Sequence, residues 1–306
     1  MRLVAAILLL CAVPVTAGVG PVSVTMSLPA EAVLPGVPFD ITVSVANVGT
    51  TSVAVPRIAE MTMTPFGGSP TTFKRVGRFE VPTYSSNDQG IELAPGEKIT
   101  GYIPWSSNWS WDDAALTVPG TYDIFIKLYG KPEYMSEGVT YAGIITTNSV
   151  RLVRKEPTGT DALVWHRLKE ASHGEWPSHG FGSRAATEDI AAEVLAKYPD
   201  SGYCPYAAVL PTRILSSNVY RDLAARFPQS PAYPRLLLQE ARAVRYEGRV
   251  GAKKPDEVQD AIAQLRTALS VAHAAKATGS VEVQDLAEIV RSVLVAELQQ
   301  LGAPSE

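Results

Sequence analysis

Histidine is the first residue type to weigh, because its side chain can ligate a metal and exchange a proton near neutral pH. All four histidines lie in the second half of the 306-residue chain, at 166, 173, 179 and 273. His166, Glu170 and His173 stand at i, i+4 and i+7. One helix would carry all three on one face, and His179 could loop back towards them. Two imidazoles and a carboxylate could hold Zn²⁺ and leave its fourth position to water. The spacing matches no standard metallohydrolase, however, and the helical periodicity fades near Ser172. The block reads as a solvated helix face and loop, so no metal is assigned.

Nucleophilic chemistry is no better provided for. Gly180-Phe181-Gly182-Ser183 lacks the closing glycine of a nucleophile elbow and follows no strand. Cys204 could be activated by a histidine, but it falls in a turn between helical runs and reads as a packing residue. Glu80, Asp88, Glu92, Asp112 and Asp113 show neither the spacing of paired catalytic carboxylates nor that of a calcium loop. No glycine cluster follows a strand in the manner of a phosphate loop. No catalytic residue and no cofactor is assigned.

One aromatic cluster remains. Trp105, Trp109 and Trp111 are interleaved with Ser, Asn and Asp, a spacing that fits a loop better than one strand. On an exposed loop, indoles can stack on a sugar or enter a partner's pocket. Folded back, they would cap an open end of the β-structure instead. These three are the candidate ligand-binding residues. Asn108-Trp109-Ser110 also fits the acceptor pattern for N-glycosylation, which matters only in a eukaryotic secretory pathway.

The elements that would position these residues fall into two kinds, divided near residues 150–161. From Val22 to about Val153, apolar residues alternate with polar ones between Pro and Gly punctuation, as half-buried strands require. Val22, Val24 and Met26 alternate, as do Phe39, Ile41, Val43 and Val45. Further strands are expected at Thr51–Pro56, Ile58–Thr64, Thr72–Glu80, Lys98–Ile103, Tyr122–Tyr129 and Thr140–Val153. About eight short antiparallel strands need a second sheet to cover their apolar faces, so a β-sandwich is the economical arrangement. Pro119-Gly120-Thr121-Tyr122 opens the longest alternating strand, whose inner face would hold Tyr122, Ile124, Ile126 and Leu128. A Tyr in this place resembles the tyrosine corner of immunoglobulin-like folds, which implies a hydroxyl tied back to nearby backbone. The paired cysteines of antibody domains are absent.

Beyond Pro157 the period becomes helical. Thr160 or Asp161 can cap a helix over Ala162–Ser172, with Leu163, Trp165 and Leu168 for packing. A second helix is expected over Thr187–Lys197, with Ile190, Val194 and Leu195 as its stripe. Then Lys197-Tyr-Pro-Asp-Ser201 is echoed 29 residues later by Arg226-Phe-Pro-Gln-Ser230, and each copy leads into an apolar helical run. The proline stops one helix, the polar residues turn the chain, and the next helix folds back. Tyr198-Pro199-Asp200-Ser201 and Phe227-Pro228-Gln229-Ser230 resemble the turns of tetratricopeptide-like repeats in exported bacterial proteins. The resemblance implies a scaffold for protein contacts, although the period departs from the usual length of about 34. Val258–Ala277 and Val283–Leu301 supply two more helices, with Ile262, Leu265, Leu269 and Ala272 on one stripe and Leu286, Ile289, Val290, Val293 and Leu298 on the other.

The expected fold class is therefore multidomain, all-β followed by all-α. It comprises an N-terminal Ig-like β-sandwich and a C-terminal domain of antiparallel, TPR-like helical hairpins. Residues 1–17 read as a signal peptide, with Arg2 before an apolar run from Leu3 to Val13 and cleavage near Ala17-Gly18. The sandwich occupies 18–153, a short linker 154–160, and the helical domain 161–306. Cleavage would remove Cys11 and leave Cys204 as the one thiol, so stability must come from packing rather than an internal disulfide. With 27 Lys+Arg against 31 Asp+Glu and no basic block, nucleic acid is not an expected partner.

These readings predict a secreted or periplasmic, non-enzymatic module that binds or assembles with a protein. Binding of carbohydrate or cell wall through the Trp loop is one alternative, and a hydrolytic site in the inter-domain cleft is another. Peripheral membrane contact stays open, with no transmembrane segment expected in the mature chain.

Overall fold

The computed structural model describes residues 21–28, 30, 32–66, 73–82, 84, 90–104, 118–130, 140–172, 184–209, 214–249 and 255–304. Among them the N-terminal half is built of β-sheets and the C-terminal half of helices. The strands are β1 (Val22–Ser27), β2 (Ala32–Val33), β3 (Ile41–Asn47), β4 (Val53–Pro56), β5 (Ile58–Pro65), β6 (Phe73–Arg78), β7 (Gly90–Leu93), β8 (Lys98–Ile103), β9 (Gly120–Tyr129), β10 (Thr140–Tyr141), β11 (Ile145–Thr146) and β12 (Val150–Arg154). They form one sheet of order β1-β3-β8, a second of order β10-β4-β7, and a larger one of order β2-β12-β9-β5-β6 with β11 also on β9.

Burial follows the alternation that the sequence displays. Tyr122, Ile124, Ile126 and Leu128 of β9 all face the core, as do Ile41, Val43 and Val45 of β3. Burying a side chain of this kind contributes roughly 1.5–3 kcal/mol, so these rows anchor β3 and β9 in the core. Tyr122 Oη donates to the Val118 carbonyl at 2.9 Å, the backbone tie that its place at the strand entrance implies. The sheets are mixed rather than wholly antiparallel, because β2 runs parallel to β12 and β10 runs parallel to β4. The expected strand over Thr140–Val153 is divided into β10, β11 and β12. Asn148 lies between the last two and explains part of the break. Its Oδ1 accepts from Met26 N at 2.6 Å and its Nδ2 donates to Met26 O at 3.2 Å, so the side chain pairs with β1.

The helices are α1 (Gly159–Ser172), α2 (Arg184–Lys197), α3 (Cys204–Val209), α4 (Ser217–Arg226), α5 (Tyr233–Arg249), α6 (Pro255–Thr278) and α7 (Val281–Gln300). α5 is central and packs against α3, α4, α6 and α7. α6 buries its predicted stripe of Ile262, Leu265, Leu269 and Ala272. Two other stripes are met in part: Trp165 and Leu168 of α1 and Val290 and Leu298 of α7 are buried as expected. Leu163 of α1 is 59% exposed, with Val164 inside in its place, and Ile289 of α7 is 55% exposed. With Val290 and Leu298, α7 buries Val283, Ala287 and Leu294, a continuous series at steps of three and four.

The 29-residue repeat reproduces its turn bond for bond. Tyr198 N donates to Val194 O and Phe227 N to Leu223 O. Ser201 N donates to Tyr198 O and Ser230 N to Phe227 O. Cys204 N donates to Ser201 O and Tyr233 N to Ser230 O. The following helices diverge, however, with 6 residues in α3 and 17 in α5. The bundle is therefore not a regular array.

At the seam, β12 continues through Arg154 and α1 begins at Gly159. Asp161 lies inside the first turn of α1, where its N–H reaches Thr158 O, rather than before the helix. The apolar core is continuous from the sheets into the helices. α7 also packs against β8, where Tyr102 Oη donates to Asp285 Oδ2 at 2.7 Å.

Candidate functional site

The seam carries three polar locks, two of them built on a buried arginine. In the first, Arg235 of α5 places Nη2 2.7 Å from Asp40 Oδ1 and 2.7 Å from Glu282 Oε2. This joins the approach to β3, α5 and α7, and all three side chains are at least 90% buried. Burial alone would lower the Arg235 pKa, but the two carboxylates outweigh it and raise it.

In the second lock, Arg154 at the end of β12 donates from Nη1 to Leu34 O at 2.8 Å and to Val37 O at 2.9 Å. It thereby holds a turn in which Gly36 takes φ +72°, a conformation that costs glycine little. Tyr203 Oη donates to Pro35 O of the same turn at 3.0 Å. Burial pushes the fully buried Arg154 guanidinium down to about 10, offset in part by Tyr206, Tyr122 and Tyr203.

The third lock fixes the first copy of the repeated turn. Asp161 Oδ1 accepts from Ser201 Oγ at 2.7 Å and from Gly202 N at 2.7 Å. Expected as a cap of its own helix, Asp161 serves the turn before α3 instead. A side-chain Cβ at Gly202 would lie 3.1 Å from Leu34 Cδ1 and 3.3 Å from Asp161 Oδ2. The close approach of the two segments therefore favours glycine there.

Beside the second and third locks, which meet it at Leu34, Asp161 and Gly202, lies a cleft of about 370 Å³. Ala32, Val33 and Leu34 form one side, and the Arg226–Pro231 turn forms another. Tyr206, Asp161, Gly202 and Lys155 complete it. β2 is the outermost strand of the larger sheet among the described residues, so the cleft runs along a sheet edge. Tyr206 is buried, whereas Lys155 and Arg226 are exposed. The arrangement offers an apolar strip, two cations and hydroxyl and amide groups. That combination suits recognition of a polypeptide segment.

Of the residues first considered for chemistry, none of the described ones lines this cleft. Trp105, Trp109 and Trp111 lie outside the described residues, as do His173, His179 and Ser183. His166 pairs with Glu170 at 3.1 Å on an open helix face, the two side chains being 71% and 56% exposed. No group of three or more His, Cys, Asp or Glu placed to hold a metal occurs among the described residues. Cys204 is buried, and its Sγ lies 3.0 Å from Tyr198 O. Burial pushes its thiol up to about 11, so it is not a thiolate at neutral pH. Glu80 forms an ion pair with the buried Arg57, a structural contact beside β6. The groups that sequence reasoning missed are Lys155, Asp161, Tyr206 and Arg226. Only Arg226 carried a signal in the sequence, as the first residue of the second repeated turn, which forms part of the cleft.

No family model matches this chain, and no curated protein does. Weak likenesses exist among solved structures. The Pseudomonas fluorescens alkylpurine DNA glycosylase AlkC, bound to DNA containing an abasic site analog, aligns at TM-score 0.28 and 7% identity over 44% of this chain and 31% of its own. A beta-glucosidase from Listeria innocua in complex with gluconolactone gives 0.26 and 16% over 44% of this chain and 16% of its own. Spo0M, a sporulation control protein from Bacillus subtilis, gives 0.26 and 14% over 50% of this chain and 56% of its own. This chain thus spans under a third of the length of the first two, and at these TM-scores none of the likenesses bears on its fold or activity.

Proposed function

We propose that the chain is an exported, non-enzymatic protein-binding or assembly module that receives a partner segment in the seam cleft. In this reading an Ig-like β-sandwich and a TPR-like helical unit together form one recognition surface. The observation that carries the proposal is the cleft's construction. Its walls come from a sheet edge and a repeated helix turn, and polar locks hold the Leu34 side and the adjoining Gly202 turn in place. Preorganised walls reduce the ordering penalty of binding, and an edge strand accepts an extended chain by hydrogen bonding.

Site-specific photocrosslinking in the exporting host tests this. A benzoylphenylalanine at Gln229, in the cleft, should yield a discrete adduct, whereas one at the remote, exposed Ile289 should not. Equal labelling from both positions, or none from Gln229, would refute it. N-terminal sequencing of the mature chain tests the export part, with Gly18 expected as the first residue.

A further inference from the structure

The two copies of the repeated turn share their backbone hydrogen bonds but differ in how the serine is used. In the first copy, Ser201 Oγ accepts from Tyr203 N at 3.2 Å and donates to Asp161 Oδ1 at 2.7 Å. In the second, Ser230 Oγ accepts from Ala232 N at 3.2 Å, the same bond 29 residues on. Its proton finds no acceptor among the described residues, and Pro231 replaces Gly202 and so brings no N–H. Ser230 faces the cleft, in the company of Lys155 and Arg226. Lys155 forms no ion pair among the described residues. Arg226 has only a loose one, 3.9 Å from an Asp200 that is 89% exposed, a pairing that solvent largely screens.

The first turn thus contains, within the chain, the group that the second turn lacks. We propose that Ser230 receives the carboxylate of an Asp or Glu side chain from an extended partner segment, with Lys155 and Arg226 flanking it. The proposal rests on the docking reading above and specifies its partner. Charge complementarity favours it, because two cations face the cleft against the single Asp161, whose Oδ1 is already engaged by two donors. A hydroxyl donating to a carboxylate between two cations forms a charge-assisted contact, which a neutral amide side chain does not reproduce.

The test is selection of random dodecapeptides, displayed on phage with their C-termini fused, against the immobilised full chain. Selected sequences are then synthesised and measured by fluorescence polarisation. Enriched peptides should share an acidic residue at a fixed position. Replacing that acid by its amide, or using Lys155→Glu or Arg226→Glu protein, should weaken binding by at least about tenfold, the scale of a lost charge-assisted contact. Ser230→Ala should act in the same direction. The two charge reversals fall on exposed side chains, so they report on the cleft without depending on how the fold tolerates the serine change.

Peptides that are blocked by a bulky Gln229→Trp, yet indifferent to amide replacement and charge reversal, would overturn the acidic partner and leave the docking cleft standing. Absence of enrichment, or enriched peptides indifferent to every cleft variant, would overturn both.

Discussion

Replacing Arg235 by Met should cost more than any surface change in this molecule, and its size follows from the geometry. The guanidinium lies 2.7 Å from both Asp40 and Glu282, and each carboxylate side chain is only 7% exposed. At an effective dielectric near 20, opposite charges about 4 Å apart attract by about 4 kcal/mol. Repulsion between the two carboxylates and the desolvation of all three groups cancel most of the resulting attraction, so the intact triad is a weak net stabiliser. Removing only the cation is a different matter, because it strands two buried anions, and loss of one partner of a buried pair costs about 3–5 kcal/mol.

The assay is urea denaturation of the full chain, with R235M compared with wild type and with the triple variant D40N/R235M/E282Q. The triple variant removes the stranded charges and should recover most of the loss. A deficit under about 1 kcal/mol, or a triple variant no more stable than the single one, would refute the reasoning.

Other perturbations probe the neighbouring contacts. Tyr102→Phe removes the bond to Asp285 that ties β8 to α7 and should lose about 1–2 kcal/mol, with the loss absent in an Asp285→Ala background, where the acceptor is gone. Asn148→Ala leaves the Met26 N–H and carbonyl without their side-chain partner and should cost about 1–3 kcal/mol in the same assay. Iodoacetamide at pH 8 should leave Cys204 unmodified until the chain unfolds, and prompt labelling of the folded protein would contradict its burial. Alkaline titration has a definite sign. Burial raises the Cys204 thiol from 9.0 to about 11, so its contribution is complete below pH 9 and is lost as pH rises towards 11. Burial raises the Tyr203 and Tyr206 phenols as well, so absorbance at the phenolate band should show them ionising only with unfolding.

What was legible in the sequence depended on how local its cause was. β3 and β9 could be read directly, because burying one face of a strand imposes alternation on the strand itself. β2 and β7, at 2 and 4 residues, are too short to show a period and exist because a neighbour pairs with them. The faces of α1 and α7 could be misjudged by one position, since a helix with apolar residues on more than one side is oriented by what it packs against. Ile289 and Val290 are equally apolar, and only tertiary contact decides that the second is inside.

The same distinction separates the two halves of the candidate site. The repeated turn is a local motif, and its hydrogen bonds recur at the spacing read from the residues. The Asp161–Ser201 bond crosses 40 residues and the Arg235–Asp40 bond crosses 195, and neither distance leaves a mark in any window of sequence. An aspartate at the start of a helix looks like its cap whether its carboxylate serves that helix or a remote turn. The repeat is informative because it partly removes this difficulty. Two copies with the same local bonds should have the same remote needs, and one copy satisfies its need with Asp161 while the other presents its serine to a cleft. If a carboxylate from outside completes the second turn, the asymmetry between Ser201 and Ser230 is the docking signal. If none does, Ser230→Ala should leave every binding property of the chain unchanged.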